Sequence, residues 1–192
     1  MSNFYISDTH FGHFNIIKHC NRPFKTVEQM DNTIIQNWNK VVSDKDTVYI
    51  LGDLAFSKRT KEPAEYLQQL KGRKIIIVGN HDYDISKNRS KYLKNNLFAG
   101  IYDYLEISDS LGKEMKKVIL SHYPMVEWNG FFRGSIHLYG HIHNNIQNNA
   151  YKIMKNIDNA YNVGADILDF TPKTLSEVIQ YSELPPPNAF GV

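Results

Sequence analysis

Short apolar runs punctuate the chain at Asn3 to Ser7, Thr47 to Leu51, Lys74 to Val78, Lys117 to Leu120 and Ile136 to Tyr139. Each is brief and rich in Ile, Val, Leu or aromatic residues, the signature of a buried strand rather than a helix. Between them the apolar positions change period. Thr26 to Gln29 reads as a capping box, and Val27, Met30, Ile34, Trp38 and Val41 then recur at helical spacing, which predicts an amphipathic helix packed on a sheet. Pro63 to Leu70, closed by Gly72, predicts another, with Pro near the first turn and Gly past the last. Further helices are expected over Ser86 to Leu97 and Leu175 to Tyr181. Ile101 to Ile107 and Glu114 to Leu120, separated by Ser108 to Gly112, predict antiparallel strands, and Asn162 to Ile167 a final strand. Strands alternating with helices, followed by a strand-rich half, give a layered α/β domain.

The residues that follow the apolar runs carry the chemistry. The five runs lead into SDTH, GD, GNHD, SHYP and GHIH, so five strand ends deliver polar, ligand-capable side chains to one rim. They are Asp8 and His10, Asp53, Asn80 with His81 and Asp82, His122, and His141 with His143. Carboxylate, amide oxygen and imidazole form a mixed oxygen and nitrogen set suited to Mn, Fe, Zn, Co or Ni, without the thiolates of a structural zinc site. Asp8, His10, Asp53, Asn80, His122, His141 and His143 exceed what one catalytic ion takes, whereas two ions sharing a carboxylate would use them. Gly52, Gly79 and Gly140 each precede a ligand group, where the chain must turn sharply beside a crowded centre.

Composition narrows the setting more than the chemistry. At 192 residues, with 42% hydrophobic and 22% charged residues, the chain fits one ordered domain over 1–183 with a proline-rich tail over 184–192. The tail, containing Leu184-Pro185-Pro186-Pro187, reads as a frayed end before it reads as a docking motif. A net charge of +2 is too small to announce a nucleic-acid partner. The one cysteine, Cys20, excludes an internal disulfide, and the segment MSNFYISDTH lacks the features of a secretory signal, so a reducing, cytoplasmic location is expected. No apolar run approaches the roughly 18 residues that cross a bilayer.

The ordered series Asp8-x-His10, Gly52-Asp53, Gly79-Asn80-His81-Asp82, His122 and Gly140-His141-x-His143 resembles the calcineurin-like metallophosphoesterases. SDTHFGHFNIIKHCNRPF, NVGADI and FTPKTLSEVI look like the small phosphoesterase-like proteins of bacteria and their phages. The resemblance implies a four-layer sandwich of two mixed β-sheets flanked by helices. It implies Asp8, His10, Asp53 and His143 around one divalent transition-metal ion and Asp53, Asn80, His122 and His141 around a second, manganese foremost, with Asp53 bridging. It further implies that a hydroxide between the ions attacks a phosphomonoester or phosphodiester in line, with His81 as general acid. Asp82 would orient His81 or cap the next turn.

Other residues are weaker candidates. Arg22 in a loop could clamp phosphate, and His13 could touch substrate or hold the backbone. Arg133 lies between two ligand blocks in Trp128 to Gly134, whose aromatics read as a small buried cluster before they read as a base-stacking surface. Lys58, Arg59 and Lys61, and Lys87, Arg89, Lys91 and Lys94, read as solvated surface. Cys20 and His137 are assigned no role; His137 sits one step back in its strand as a structural residue. A small phosphoester of nucleotide type is the expected substrate. A nuclease would bring an extended basic groove, and a non-catalytic scaffold would have lost ligands, so both rank below it.

Overall fold

A computed structural model describes residues 1–56 and 62–182. Lys58, Arg59, Lys61 and the proline-rich tail lie outside the described residues. Within them the strands form two four-stranded sheets. The first is β1 (Asn3–Ile6), β2 (Thr47–Ile50), β3 (Arg73–Ile77) and β4 (Gly100–Tyr102), side by side and parallel. An antiparallel bridge from Tyr5 to Lys173 makes it mixed at the β1 edge. The second is β5 (Leu105–Leu111), β6 (Glu114–Leu120), β7 (Ile136–Tyr139) and β8 (Ala160–Asn162), with β5 and β6 antiparallel and the other pairs parallel.

The two-residue period of β1 explains the layering. Phe4 and Ile6 face one side, where they join Val48, Ile50 and Ile76 in one core with the helices α1 (Phe14–His19), α2 (Val27–Val41) and α3 (Pro63–Leu67). Tyr5 faces the other, where Leu51 and Ile77 meet Val118, Leu120, Ile136 and Leu138 of the second sheet. Both faces of the first sheet are therefore dry, as parallel strands require. α2 follows the stripe read from sequence: Val27, Met30, Ile34 and Trp38 are buried, while Val41 at its end is exposed and Val42 takes its place. Thr26 accepts from the amide of Gln29 at 3.1 Å, and Gln29 returns the contact to the amide of Lys25 at 2.8 Å. Beyond the second sheet, α6 (Asn149–Met154) packs Met154 with Tyr139 and Ile142, and α7 (Leu175–Ser182) buries Leu175 and Val178 against the inter-sheet core.

Three sequence expectations are corrected. The strand expected over Ile101 to Ile107 is two: Gly100–Tyr102 completes the first sheet, the chain bends at Asp103 and Tyr104, and Leu105 opens the second. One strand cannot hydrogen-bond into both sheets, so the crossing needs a break. The helix expected over Ser86 to Leu97 starts earlier and is divided at Asn88 into α4 (Tyr83–Lys87) and α5 (Arg89–Lys94), where the Asn88 side-chain Nδ2 donates to the Asp84 carboxylate at 2.8 Å. The final strand ends at Asn162. Residues 163–165 then bind the end of β1 through Ser7 N to Val163 O and Ala165 N to Ser7 O, both 2.8 Å. That detour places Asp166 beside the ends of both sheets.

Candidate metal centre

The C-terminal ends of β1, β2, β3, β6 and β7 converge, and the residues just past them turn back toward one another. The turns are tight. Asp8, His10, Asp53, His141 and His143 all have left-handed backbone, with φ between 49° and 71°, a conformation that disfavours non-glycine residues by about 1 kcal/mol or more each. Main-chain bonds hold them there: Asp8 N to Gly52 O and His10 N to Asp53 O, both 3.0 Å, and Gly140 N to His122 O at 2.9 Å. Gly52 has φ of 88°, and a Cβ at this position would lie 2.5 Å from His122 Nδ1. A Cβ on Gly140 would strike Ser7 Oγ and the Asp8 carboxylate. Close approach requires both glycines, and the left-handed turn also requires Gly52.

Two groups of side chains result, Asp8 with His10 and His143, and Asp53 with His122 and His141. Asp53 joins them. Its Oδ1 accepts the amide of His81 at 2.8 Å, while Oδ2 lies 3.7 Å from His10 Nε2 and 3.5 Å from His122 Nε2. Asn80 Oδ1 lies 3.0 Å from His122 Nε2 and 2.9 Å from His141 Nδ1. The structure thus brings all seven ligand candidates together.

Electrostatics and the donor set fit divalent cations. Burial, and next the charge of Asp8, push the Asp53 carboxyl up to about 7; such a pair of converging carboxylates needs a positive charge between them. Burial also holds His10 well below the usual histidine value, and its Nε2 is buried with no hydrogen-bond partner, 4.0 Å from Asp8 Oδ1. An unsatisfied imidazole nitrogen aimed at two carboxylates is the arrangement of a metal-ligand atom. His122 donates from Nδ1 to the Leu51 carbonyl at 2.7 Å, which turns Nε2 toward the Asn80 and Asp53 oxygens on the site side. For His143 burial acts downward, but the Asp8 charge and the Asp166 hydrogen bond outweigh it and push the imidazole up to about 11.

His143 reveals what the sequence left unread. Its Nδ1 donates to Asp166 Oδ2 at 2.8 Å, with Nε2 turned to Asp8 Oδ1 at 3.9 Å. Asp166 is buried and gripped by Arg22, Nε to Oδ1 at 2.8 Å and Nη2 to Oδ2 at 3.1 Å. The buried thiol of Cys20 forms a third grouping with His143 and Asp166. Arg22 is thereby corrected: it is no substrate clamp. It is buried, and its remaining donors reach the carbonyls of Thr9 and Asp8 and the sulfur of Met30. Asp82 is corrected as well. It is 2% exposed and accepts from the amides of Asp53, Leu54 and Gly79 at 2.7, 3.0 and 2.8 Å, so it ties the β2 and β3 ends together and neither caps α4 by side chain nor hydrogen-bonds His81. Asp166 belongs to the stretch NVGADI, and nothing local marked its role.

The remaining candidates divide by position. His81 is exposed at the rim, its ring edge-on to His10 at 5.3 Å. His13 is half-buried, stacked on Phe56 at 4.2 Å. Tyr123, half exposed, sets its ring against those of His122 and His141 at 5.0 and 4.7 Å. Arg133 is exposed on a 3-10 turn and forms no hydrogen bond or ion pair with the cluster. Trp128 nearby is buried against Phe131 and donates to Ser135 Oγ at 3.0 Å, so that loop carries a structural aromatic cluster. His137 is fully buried, accepting the Met125 amide at Nε2 and bonding the Ile119 carbonyl at Nδ1, both 3.2 Å. Lys87, Lys91 and Lys94 are exposed, and Arg89 pairs with Asp103. No helix of the described residues is long and apolar enough to cross a membrane.

Comparison with known proteins agrees with this arrangement. The sequence model of the Calcineurin-like phosphoesterase family matches residues 4–171. The protein MJ1445 of Methanocaldococcus jannaschii is 37% identical over 179 residues, covering 93% of this chain and 89% of that one. The Gene 66 protein of Mycobacterium phage L5 is 29% identical over 164 residues, 74% of this chain and 78% of that one. Among solved structures, that of AQ665 from Aquifex aeolicus superposes with a TM-score of 0.69 at 28% identity, covering 93% of this chain and 97% of that one.

Proposed function

The chain belongs to the calcineurin-like phosphoesterase family, and within it we propose a hydrolase that cleaves a small phosphoester, of nucleotide type, by means of two divalent cations. The observation that carries the reading is Asp53 Oδ2, which faces His10 on one side and His122 on the other within 3.7 Å. One ion is assigned to Asp8, His10, Asp53 and His143, the other to Asp53, Asn80, His122 and His141. The mixed oxygen and nitrogen set, without thiolates, suits Mn, Fe, Zn, Co or Ni, and we take manganese as the first candidate. When bound, two such cations supply Lewis acidity, making hydroxide available near neutral pH and offsetting charge on the phosphoryl oxygens.

The chain's own residues do the rest. Asp82 and the main-chain bonds fix the ligand turns, so the donors converge without rearrangement. His81, exposed at the rim, protonates the leaving oxygen. Tyr123 offers a half-exposed ring beside His141 on which a base rests, and this supports the nucleotide-type reading. The single cysteine, a buried thiol, supports a reducing cytoplasmic setting.

The test is a substrate panel. Protein reconstituted with Mn, Ni, Zn or Fe is assayed on aryl monoesters and diesters, cyclic nucleotides, dinucleotides and short DNA and RNA. Turnover of mononucleotide or dinucleotide esters that exceeds turnover of DNA and RNA is expected. Full ion loading with no hydrolysis of any ester would overturn the reading.

A further inference from the structure

We propose that His10 and His13 work as a coupled pair, in which an ion held at His10 Nε2 fixes His13 as a hydrogen-bond donor, through its own Nε2, to a phosphoryl oxygen in the cleft. The inference rests on the metal-centre reading above and adds to it a residue that none of the seven ligands requires. The two rings meet through Nδ1 and Nδ1, 3.4 Å apart. Such a contact holds one proton, so one ring donates and the other accepts. His10 Nε2 is the buried, unpartnered atom facing Asp8 and Asp53. Once that nitrogen is a ligand, the neutral ring carries its proton on Nδ1 and donates it to His13. His13 must then accept at Nδ1, and its own proton is confined to Nε2.

The pair is held rigidly enough for this to matter. The His13 amide donates to the His10 carbonyl at 3.1 Å, and the Gly12 amide between them donates to Asp31 at 3.1 and 3.2 Å. The His13 ring lies flat on Phe56, with planes 15° apart, so it cannot turn freely. Among the described residues His13 Nε2 has no hydrogen-bond partner, and the ring is half-buried, 6.2 Å from that of His81. A neutral donor beside the proposed acid suits a tetrahedral oxyanion: it adds a directed hydrogen bond without a charge. Without an ion either nitrogen of His10 can carry its proton, and the direction of the His13 donor is no longer set. Oxyanion affinity is therefore coupled to ion occupancy through a proton position rather than through a movement.

Two measurements test the pair. Imidazole nitrogen NMR of the zinc-loaded protein is expected to show His10 protonated at Nδ1 and His13 at Nε2; a proton on Nδ1 of His13 would overturn the proposal without any variant. Calorimetry then measures inorganic phosphate binding to loaded protein. His13→Phe keeps the stack on Phe56 and should retain both ions while binding phosphate about tenfold more weakly. His13→Gln, which offers an acceptor and a donor, should recover most of that loss, whereas a packing role predicts the reverse order. Unchanged phosphate affinity in ion-loaded His13→Phe overturns the pair and leaves the metal centre standing; failure of the unmodified chain to take up ions overturns both.

Discussion

Asp166 Oδ2 lies 2.8 Å from Nδ1 of His143, and that bond turns the opposite nitrogen of the ring toward Asp8. A ligand imidazole oriented by a carboxylate binds metal more tightly than a free one. Asp166→Asn is therefore expected to weaken ion affinity at the first site by about 10 to 100-fold. Competition with a chromophoric chelator measures this, and affinity equal to that of the unmodified protein would show that the bond is incidental.

Arg22 and Asp166 form a buried pair whose members lie far apart in the chain. Removing one member strips the other's buried charge of its guanidinium–carboxylate partner, so Arg22→Leu should destabilise folding by about 3 to 5 kcal/mol. The double variant Arg22→Leu with Asp166→Leu should be less destabilised than Arg22→Leu alone. Urea denaturation of the apoprotein checks the order of the three.

Asp53→Ala removes the oxygen that faces both groups. Ion content is expected to fall from two per chain, with activity falling at least about a thousandfold, because both sites lose a ligand and the nucleophile its activation. Elemental analysis after gel filtration, beside the assay, reads both quantities. Full activity in this variant would exclude the binuclear mechanism.

His81→Ala separates binding from chemistry. It should keep both ions yet lose about 100 to 10,000-fold in kcat on esters with poor leaving groups, and much less on aryl esters whose leaving oxygen needs no proton. Equal losses on the two ester classes would remove His81 from the acid role.

His137 gives a pH dependence that originates outside the metal centre. Burial, partly opposed by its backbone hydrogen bonds, lowers it to about 4 from an ordinary 6.5. Between those values the unfolded chain binds a proton that the folded chain refuses. This contribution is therefore complete above about pH 6.5 and is lost as pH falls toward 4, by about 3 kcal/mol. Denaturation at pH 7 and pH 5 should show a smaller difference for His137→Gln than for the unmodified protein.

What was legible in the sequence was whatever is local. The alternation that ends at Gly140 separated His137 from His141 and His143, and a few consecutive residues past each strand disclosed every ligand candidate. Arg22 and Asp82 were visible as residues but misread, because charge says nothing of burial: each is surrounded by backbone groups supplied from distant segments. Asp166 escaped for the same reason, its partners being Arg22 and His143. The bend at Asp103 was hidden because Ile101 and Tyr102 before it and Tyr104 and Leu105 after it all have strand character, and only the existence of two sheets divides them.

The five left-handed residues at the rim have a consequence for folding rather than catalysis. Main-chain bonds clamp Asp8 and His10, and Asp82 holds Asp53, so the chain's own contacts bring the Asp8 and Asp53 carboxylates close enough to repel. A species that binds the folded state alone raises its stability with the logarithm of its concentration. On the two-cation proposal, an ion bound between these carboxylates would relieve that repulsion directly. The melting temperature of this protein would then be in effect a gauge of the free divalent cation around it.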